Sequence, residues 1–220
     1  MASAVLPPNL TSGNNPKEMM MNAFSKNTLP AVACGALLLG GGAALADSGI
    51  SYSYIQASYQ EVDVDIGGGF DVDGDGFAVG GSVEINEDWF VFAGYASSEF
   101  ESVVDLDQLE AGGGYHAPLS EKTDWYATLA YVSAEVSASG FGSIDDSGVG
   151  VALGVRSMVT PSLELYANAS YADLGDGADG SGFGAGLWYT VSGNIALGVG
   201  ASFGDDVSTY GASVRLYFDK

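Results

Sequence analysis

Three aspartates at alternate positions, Asp71, Asp73 and Asp75, stand just before Gly76 in the stretch DVDGDGFAVGG. Spaced carboxylates followed by a turn glycine open a calcium loop of the EF-hand kind. That loop also needs a bidentate Glu at its twelfth position and a helix behind it. The twelfth residue counted from Asp71 is Ser82, and the pattern that follows is that of a strand. Asp and Gly at a tight reversal also supply left-handed residues and Asx-turns. A plain turn therefore accounts for the composition. A weak Ca2+ or Mg2+ site at Asp71, Asp73 and Asp75 is the second expectation, because more acids crowd the same kind of segment. Asp63 and Asp65, Asp105 and Asp107, Asp145 and Asp146, Asp173 and Asp176, and Asp205 and Asp206 recur between apolar stretches. Like charges so close together are unfavourable unless cations bridge them.

Little else has the makings of catalysis. His116 is the sole histidine and Cys34 the sole cysteine. General acid–base or nucleophilic chemistry needs a base within hydrogen-bond reach of its partner. The carboxylates lie in acid-rich segments without basic neighbours, as a solvated charged surface does and a tuned acid–base pair does not. No catalytic or cofactor-binding residue is assigned, and no enzymatic activity is expected.

The elements that position these residues are strands. GFAVGGSVEI puts Phe77, Val79, Gly81, Val83 and Ile85 on one face, and Ala78, Gly80, Ser82 and Glu84 on the other. GVGVALGVR, NIALGVGASFG and TYGASVRLYF alternate in the same way. A period of two marks half-buried strands. The second face is mostly Gly, Ala and Ser, where a solvated sheet would carry Lys, Glu and Thr. Aromatics recur at strand ends: Tyr52, Tyr54, Tyr59, Trp89, Phe90, Trp125, Tyr171, Tyr189, Tyr210 and Phe218. Aromatic girdles flanking an apolar band are the mark of a barrel in lipid.

The chain start reads as an address. Residues 21–46 carry Lys26, an apolar run from Leu29 to Leu45, and the small-x-small site Ala44-Leu45-Ala46 before Asp47. These are the parts of a secretory signal peptide, with cleavage expected between Ala46 and Asp47. Residues 1–20 match none of those parts and are expected to be a disordered leader, so that 1–46 stand apart from a barrel domain over 47–220. Without Cys34 the mature chain has no thiol or disulfide chemistry. The whole chain has 6 basic and 28 acidic residues and a net charge of −22. Losing Lys17, Lys26 and Glu18 with the leader leaves 4 and 27, and a net charge of −23. Such a charge repels phosphate backbones and excludes nucleic acid as a partner.

Connections alternate between short ones, such as 86–88, 119–123, 160–162 and 192–193, and Asp/Gly-rich ones at 65–75, 101–107, 139–147, 175–180 and 204–208. That alternation predicts an all-β fold, an antiparallel up-and-down transmembrane barrel of about ten strands. Eight strands is the alternative. Short turns then lie on the periplasmic side and acidic loops outside. Alternation points Arg156, Glu164, Arg215, Glu84 and Glu110 inward, where charges of both signs are expected to satisfy one another as a lumen network. His116 falls near a short turn, as a rim or lumen residue.

ISYSYIQASYQ from Ile50, DVDGDGFAVGGSVEI from Asp71, ALGVRSMVTPSLELYANASYADL from Ala152 and the terminal TYGASVRLYF resemble the small outer-membrane β-barrel proteins of Gram-negative bacteria, the OmpA-like and opacity-type porin group. Thr209, Gly211, Val214 and Leu216 match the spacing of that group's barrel-assembly signal, although Asp219 and Lys220 follow Phe218 where such chains end. The resemblance implies residence in the outer membrane. It also implies contact with outer-membrane lipid, lipopolysaccharide and the barrel-assembly machinery, and a monomeric state. A structural or surface-interaction role is expected, with a narrow porin-like channel as the alternative. A soluble secreted β-sandwich is a further alternative on alternation alone.

Overall fold

The structure is a computed structural model that describes residues 49–65, 71–100, 104–138, 142–175 and 179–218. The leader, Cys34 and the expected cleavage between Ala46 and Asp47 lie outside the described residues. Ten strands follow one another: β1 (Tyr54–Asp65), β2 (Asp71–Glu84), β3 (Trp89–Phe100), β4 (Val104–Ser120), β5 (Thr123–Ala138), β6 (Gly142–Thr160), β7 (Leu163–Asp173), β8 (Asp179–Ser192), β9 (Ile195–Gly204) and β10 (Val207–Tyr217). Each pairs antiparallel with its sequence neighbours, and β1 pairs with β10 to close the ring. Closure satisfies every strand edge within the membrane, which lipid demands because it offers backbone groups no hydrogen bonds. The expectation of ten strands holds, and both the eight-strand barrel and the open sandwich are set aside.

The alternation read from the sequence sets which face is which. On β9, Ile195, Leu197, Val199 and Phe203 point out, while Ala196 and Ser202 are buried inside. On β6, Val149, Val151, Leu153 and Val155 point out, and Ala152 and Arg156 point in. Outward aromatics gather at two levels. Trp89, Tyr115 and Trp125 pack in sequence near the short turns with their rings steeply inclined to one another and centroids 5.1 and 5.6 Å apart. Tyr59, Phe77, Tyr95, Tyr131, Tyr171 and Tyr210 ring the other side. Tyr52, Tyr54 and Phe90 do not belong to these girdles. All three are buried inside: Tyr52 lies in the buried stretch that precedes β1, Tyr54 opens β1 on its inner phase, and Phe90 falls on the inner phase of β3.

Inside, large side chains lie over glycines of adjacent strands. A Cβ added at Gly198 would come within 2.6 Å of the Trp188 ring. Phe90 covers Gly114 and Tyr126 covers Gly154 in the same manner. A barrel this narrow fills its lumen with side chains, and glycine makes room for each ring.

The strands run further than the sequence pattern indicates. The β1–β2 ladder continues to Asp65 opposite Asp71, and β6 already begins at Gly142. The stretch Asp71 to Gly81 is therefore strand, not the expected turn, and most of the Asp/Gly-rich segments are strand extensions. The physical reason lies in the apolar residues between the acids. In VDVD (62–65), DVD (71–73) and VDLD (104–107) the alternation continues with Val or Leu on the inner phase and Asp on the outer one. Those apolar side chains bury one another and so hold the ladder together.

Candidate functional site

The polarity of the barrel wall inverts along its length. Through the lipid belt the outside is apolar, and the inside carries Gly, Ala, Ser and a few charges. Above the belt, at the end away from the short turns, Glu61, Asp63 and Asp65 of β1, Asp71, Asp73 and Asp75 of β2, and Asp105 of β4 face outward. Behind them Val62, Val64, Val72, Phe100, Val104, Leu106 and Val136 are buried in one cluster. This end is built like a small soluble barrel with an acidic skin, and it forms a collar on the membrane-spanning part.

The register places the collar acids face to face. Asp63 stands opposite Asp73, Asp65 opposite Asp71, and Glu61 opposite Asp75. Asp63, Asp65, Asp71 and Asp73 line one depression with Asp205 and Asp206 from the β9–β10 connection. Partial burial, then the charge of Asp73 and a hydrogen bond shared with it, raise the Asp63 carboxyl above its ordinary value. The girdle reaches into the collar where the Tyr95 hydroxyl donates to Asp107 Oδ1 at 2.6 Å. Asp71, Asp73 and Asp75 sit two residues apart on one straight outer face, which spreads them along the strand. Among the described residues, no three His, Cys, Asp or Glu side chains come together in an arrangement that could hold a metal ion.

At the short-turn end, the lumen charges divide into separate groups. Arg156 Nε donates to Glu164 Oε1 at 2.6 Å, with both side chains buried. Arg156 also lies over the Tyr52 ring, 4.5 Å from its centroid. Arg215 is clamped between Tyr54 and Trp188, at 3.8 and 3.9 Å, and donates twice to Gln56 Oε1. Glu84 accepts a hydrogen bond from the Ser53 hydroxyl at 3.4 Å. Glu110 lies further along β4, at the level of the Tyr95 and Tyr131 girdle, fully buried, and neither of its oxygens has a hydrogen-bond partner. His116 is buried in the lumen, stacked on Tyr52 at 4.2 Å, with its Nδ1 4.0 Å from Asp124.

Of the five residues expected to form one lumen network, Arg156 and Glu164 bond to each other, while Arg215 is received by residues outside that set. Gln56 on the adjacent β1 and Trp188 on β8, beyond β9, share the inner phase with Arg215. The β1–β10 register that sets Gln56 opposite Arg215 exists only once the ring closes. Asp124 was equally hidden, since nothing in its spacing tied it to His116. The β4–β5 register, with His116 opposite Tyr126 and Pro118 opposite Asp124, brings the two together.

Residues 32–203 match the family described as outer membrane protein beta-barrel domain. No curated protein sequence matches the chain. Among solved structures the chain is similar to Neisserial surface protein A, at 20% identity over 75% of this chain and 96% of that one, with a TM-score of 0.42. It is similar to the KdgM porin at 10% identity over 75% of this chain and 99% of that one, with a TM-score of 0.44. The attachment invasion locus protein of Yersinia pestis is 19% identical over 74% of this chain and 97% of that one, with a TM-score of 0.38. The family match takes in most of the ten strands, and with the apolar belt and closed ring it makes the chain a member of the outer membrane protein β-barrel domain family, resident in the outer membrane.

Proposed function

We propose that this chain is a non-conducting surface barrel whose acidic collar is an interaction surface for cationic partners. The observation that carries the reading is the inverted polarity of the collar, with acids outside and a packed valine-rich core inside. A pore needs a polar, open lumen. Here apolar side chains pack the lumen at the collar, and Tyr52, His116, Phe90 and Arg156 crowd it at the other end. In this reading the collar stands outside the cell and the short turns face the periplasm. Lipopolysaccharide phosphates at the same level are bridged to the collar by mobile divalent cations. The barrel-assembly machinery receives the C-terminal strand, Val207–Tyr217. Within the membrane the ring leaves no strand edge for a partner, in keeping with a monomer.

Planar-bilayer recording of the refolded barrel tests the closed lumen. The expected trace is flat up to the voltage at which the bare bilayer breaks. Reproducible unitary steps would restore the narrow channel. Orientation is tested separately with cysteines at Asp73 and Lys122. An impermeant thiol reagent on intact cells should modify the first and spare the second, and the reverse pattern would overturn the assignment of the collar to the outside.

A further inference from the structure

The strands do not end at one height around the collar rim. β6 pairs with β5 up to Gly142 opposite Ala138, but its last partner on β7 is Asp173, opposite Val149. Among the described residues, 142–148 of β6 therefore have a strand on one side only, and overhangs elsewhere at this rim are shorter, 71–73 on β2 and 179–181 on β8. The β7–β8 connection does not fill the gap. Leu174 lies against Gly148, and at Gly175 the chain already turns, with φ at 84° and its N–H donating to Asp173 Oδ1. Residues 176–178 then lead back to Asp179, which stands opposite Asp173. At about 3.5 Å per residue that is too little chain to climb β6 to Asp145 and return.

The backbone phase decides which groups face the gap. Met158 N–H donates to Lys122 O on the β5 side. Backbone groups of alternate residues point to opposite neighbours, so the even-numbered residues of β6 face β5 and the odd-numbered ones face away from it. The N–H and C=O of Ser143, Asp145 and Ser147 thus line the open edge. Such a row is a template for another strand.

Two rungs of the sheet run out at this edge, and each dictates what completes it. On the outer face Asp107, Glu135 and Asp145 stand opposite one another in turn. A rung of acids calls for a basic side chain at its end. On the inner face Leu106 and Val136 are fully buried, while Ile144 at the end of the same rung is only half-buried. An apolar side chain on one more strand would cover it. A second copy of this chain fits poorly, because edge-to-edge pairing would set Asp145 and Asp146 against the same acids.

We propose that β6 receives a partner protein along Ser143, Asp145 and Ser147, by adding an extended segment of alternating basic and apolar residues as an extra strand. The proposal rests on the reading of the collar as a surface for cationic partners and names how such a partner is held. Main-chain hydrogen bonds give the affinity, and the two rungs select the side chains.

The test measures binding of a synthetic peptide of alternating lysine and valine to the refolded barrel in detergent, by fluorescence polarisation. A peptide of the same composition, with its lysines and valines in blocks, carries the same charge but cannot meet both rungs. The alternating peptide is expected to bind more tightly. Asp145→Asn removes only a charge, whereas Asp145→Pro also removes an N–H that faces the gap and leaves the β5 ladder intact. The proline variant is expected to bind about tenfold more weakly than the asparagine variant, the worth of one hydrogen bond. Should it fail to fold, a backbone N-methylated peptide makes the same comparison on the unaltered chain. Equal binding of both peptides, with proline no worse than asparagine and N-methylation without effect, overturns the edge. If Asp63→Asn with Asp73→Asn then weakens both peptides, the collar still stands as a diffuse acidic surface. Binding of neither peptide overturns both readings. A dimer of the barrel that Asp145→Pro turns to monomer would overturn the partner and assign the edge to a second copy.

Discussion

Two residue pairs show how the same charges behave in opposite settings. Arg156 and Glu164 are buried in the lumen and bonded at 2.6 Å. Removing one member of such a pair leaves the other charge buried and uncompensated, which costs about 3–5 kcal/mol. Glu164→Gln is therefore expected to lower the urea midpoint of unfolding strongly, read as the loss of the heat-modifiable compact band on gels. Replacing both residues by apolar ones of similar volume should recover most of the loss, because the desolvation cost of two charges goes with them. Asp63 and Asp73 are opposite in kind, a like-charged pair above the lipid belt. The folded-state value of Asp63 is raised, so the folded protein binds that proton more readily than the unfolded chain does. The repulsion is present in full at neutral pH and is relieved as pH falls through the raised folded value. Unfolding midpoints should thus rise between pH 7 and mildly acidic pH, and Asp63→Asn should gain stability at pH 7 while showing a smaller rise. A midpoint that fell over that range in the wild type but not in the variant would reverse the assignment.

At the scale of a strand, inside and outside are one residue apart, and a substitution reads the difference. Leu197 faces lipid at 51% exposure, and its neighbour Gly198 lies under the Trp188 ring. Leu197→Arg is expected to cost about 2–4 kcal/mol if the position lies at the bilayer midplane. Gly198→Leu should destabilise by a different route, since its side chain must displace an indole, and Trp188→Ala should relieve it. Equal effects of Trp188→Ala on both variants would argue that the register is wrong. Strand phase was legible in the sequence because most outward Val and Leu residues of the belt have a Gly, Ala or Ser beside them. The strand ends were not. Asp and Gly are depleted from strands and enriched in turns, so Asp71 to Asp75 reads as a reversal when taken alone. What makes it a strand is Val72, which completes a core with Val62, Val64 and Val104 that lie on other strands. Tyr52 and Tyr54 misled for the same reason. Their type suits a girdle, and only the ring of ten strands shows that they fill its mouth.

On the scale of the whole molecule, charge is distributed by height. The belt carries almost none outside, the lumen carries a few bonded groups, and the collar carries the excess behind the net charge of −22. Exposed charges within a Debye length of one another repel, and salt weakens that repulsion. Monovalent salt is therefore expected to stabilise the barrel progressively, in contrast to a protein held together by surface ion pairs. Calcium poses the sharper question, because the spacing of Asp71, Asp73 and Asp75 resembles the start of a calcium loop. An EF-hand curls its ligands around the ion, whereas a strand sends these three out along a line, and among the described residues no three carboxylates take an arrangement that could hold a metal ion. Calcium should then act as a screening ion only. At matched ionic strength, unfolding midpoints in calcium chloride and sodium chloride should coincide, and replacing Asp73 and Asp75 by Asn should raise both equally. A further gain in calcium, abolished by those two replacements, would show that the collar closes around a divalent ion after all.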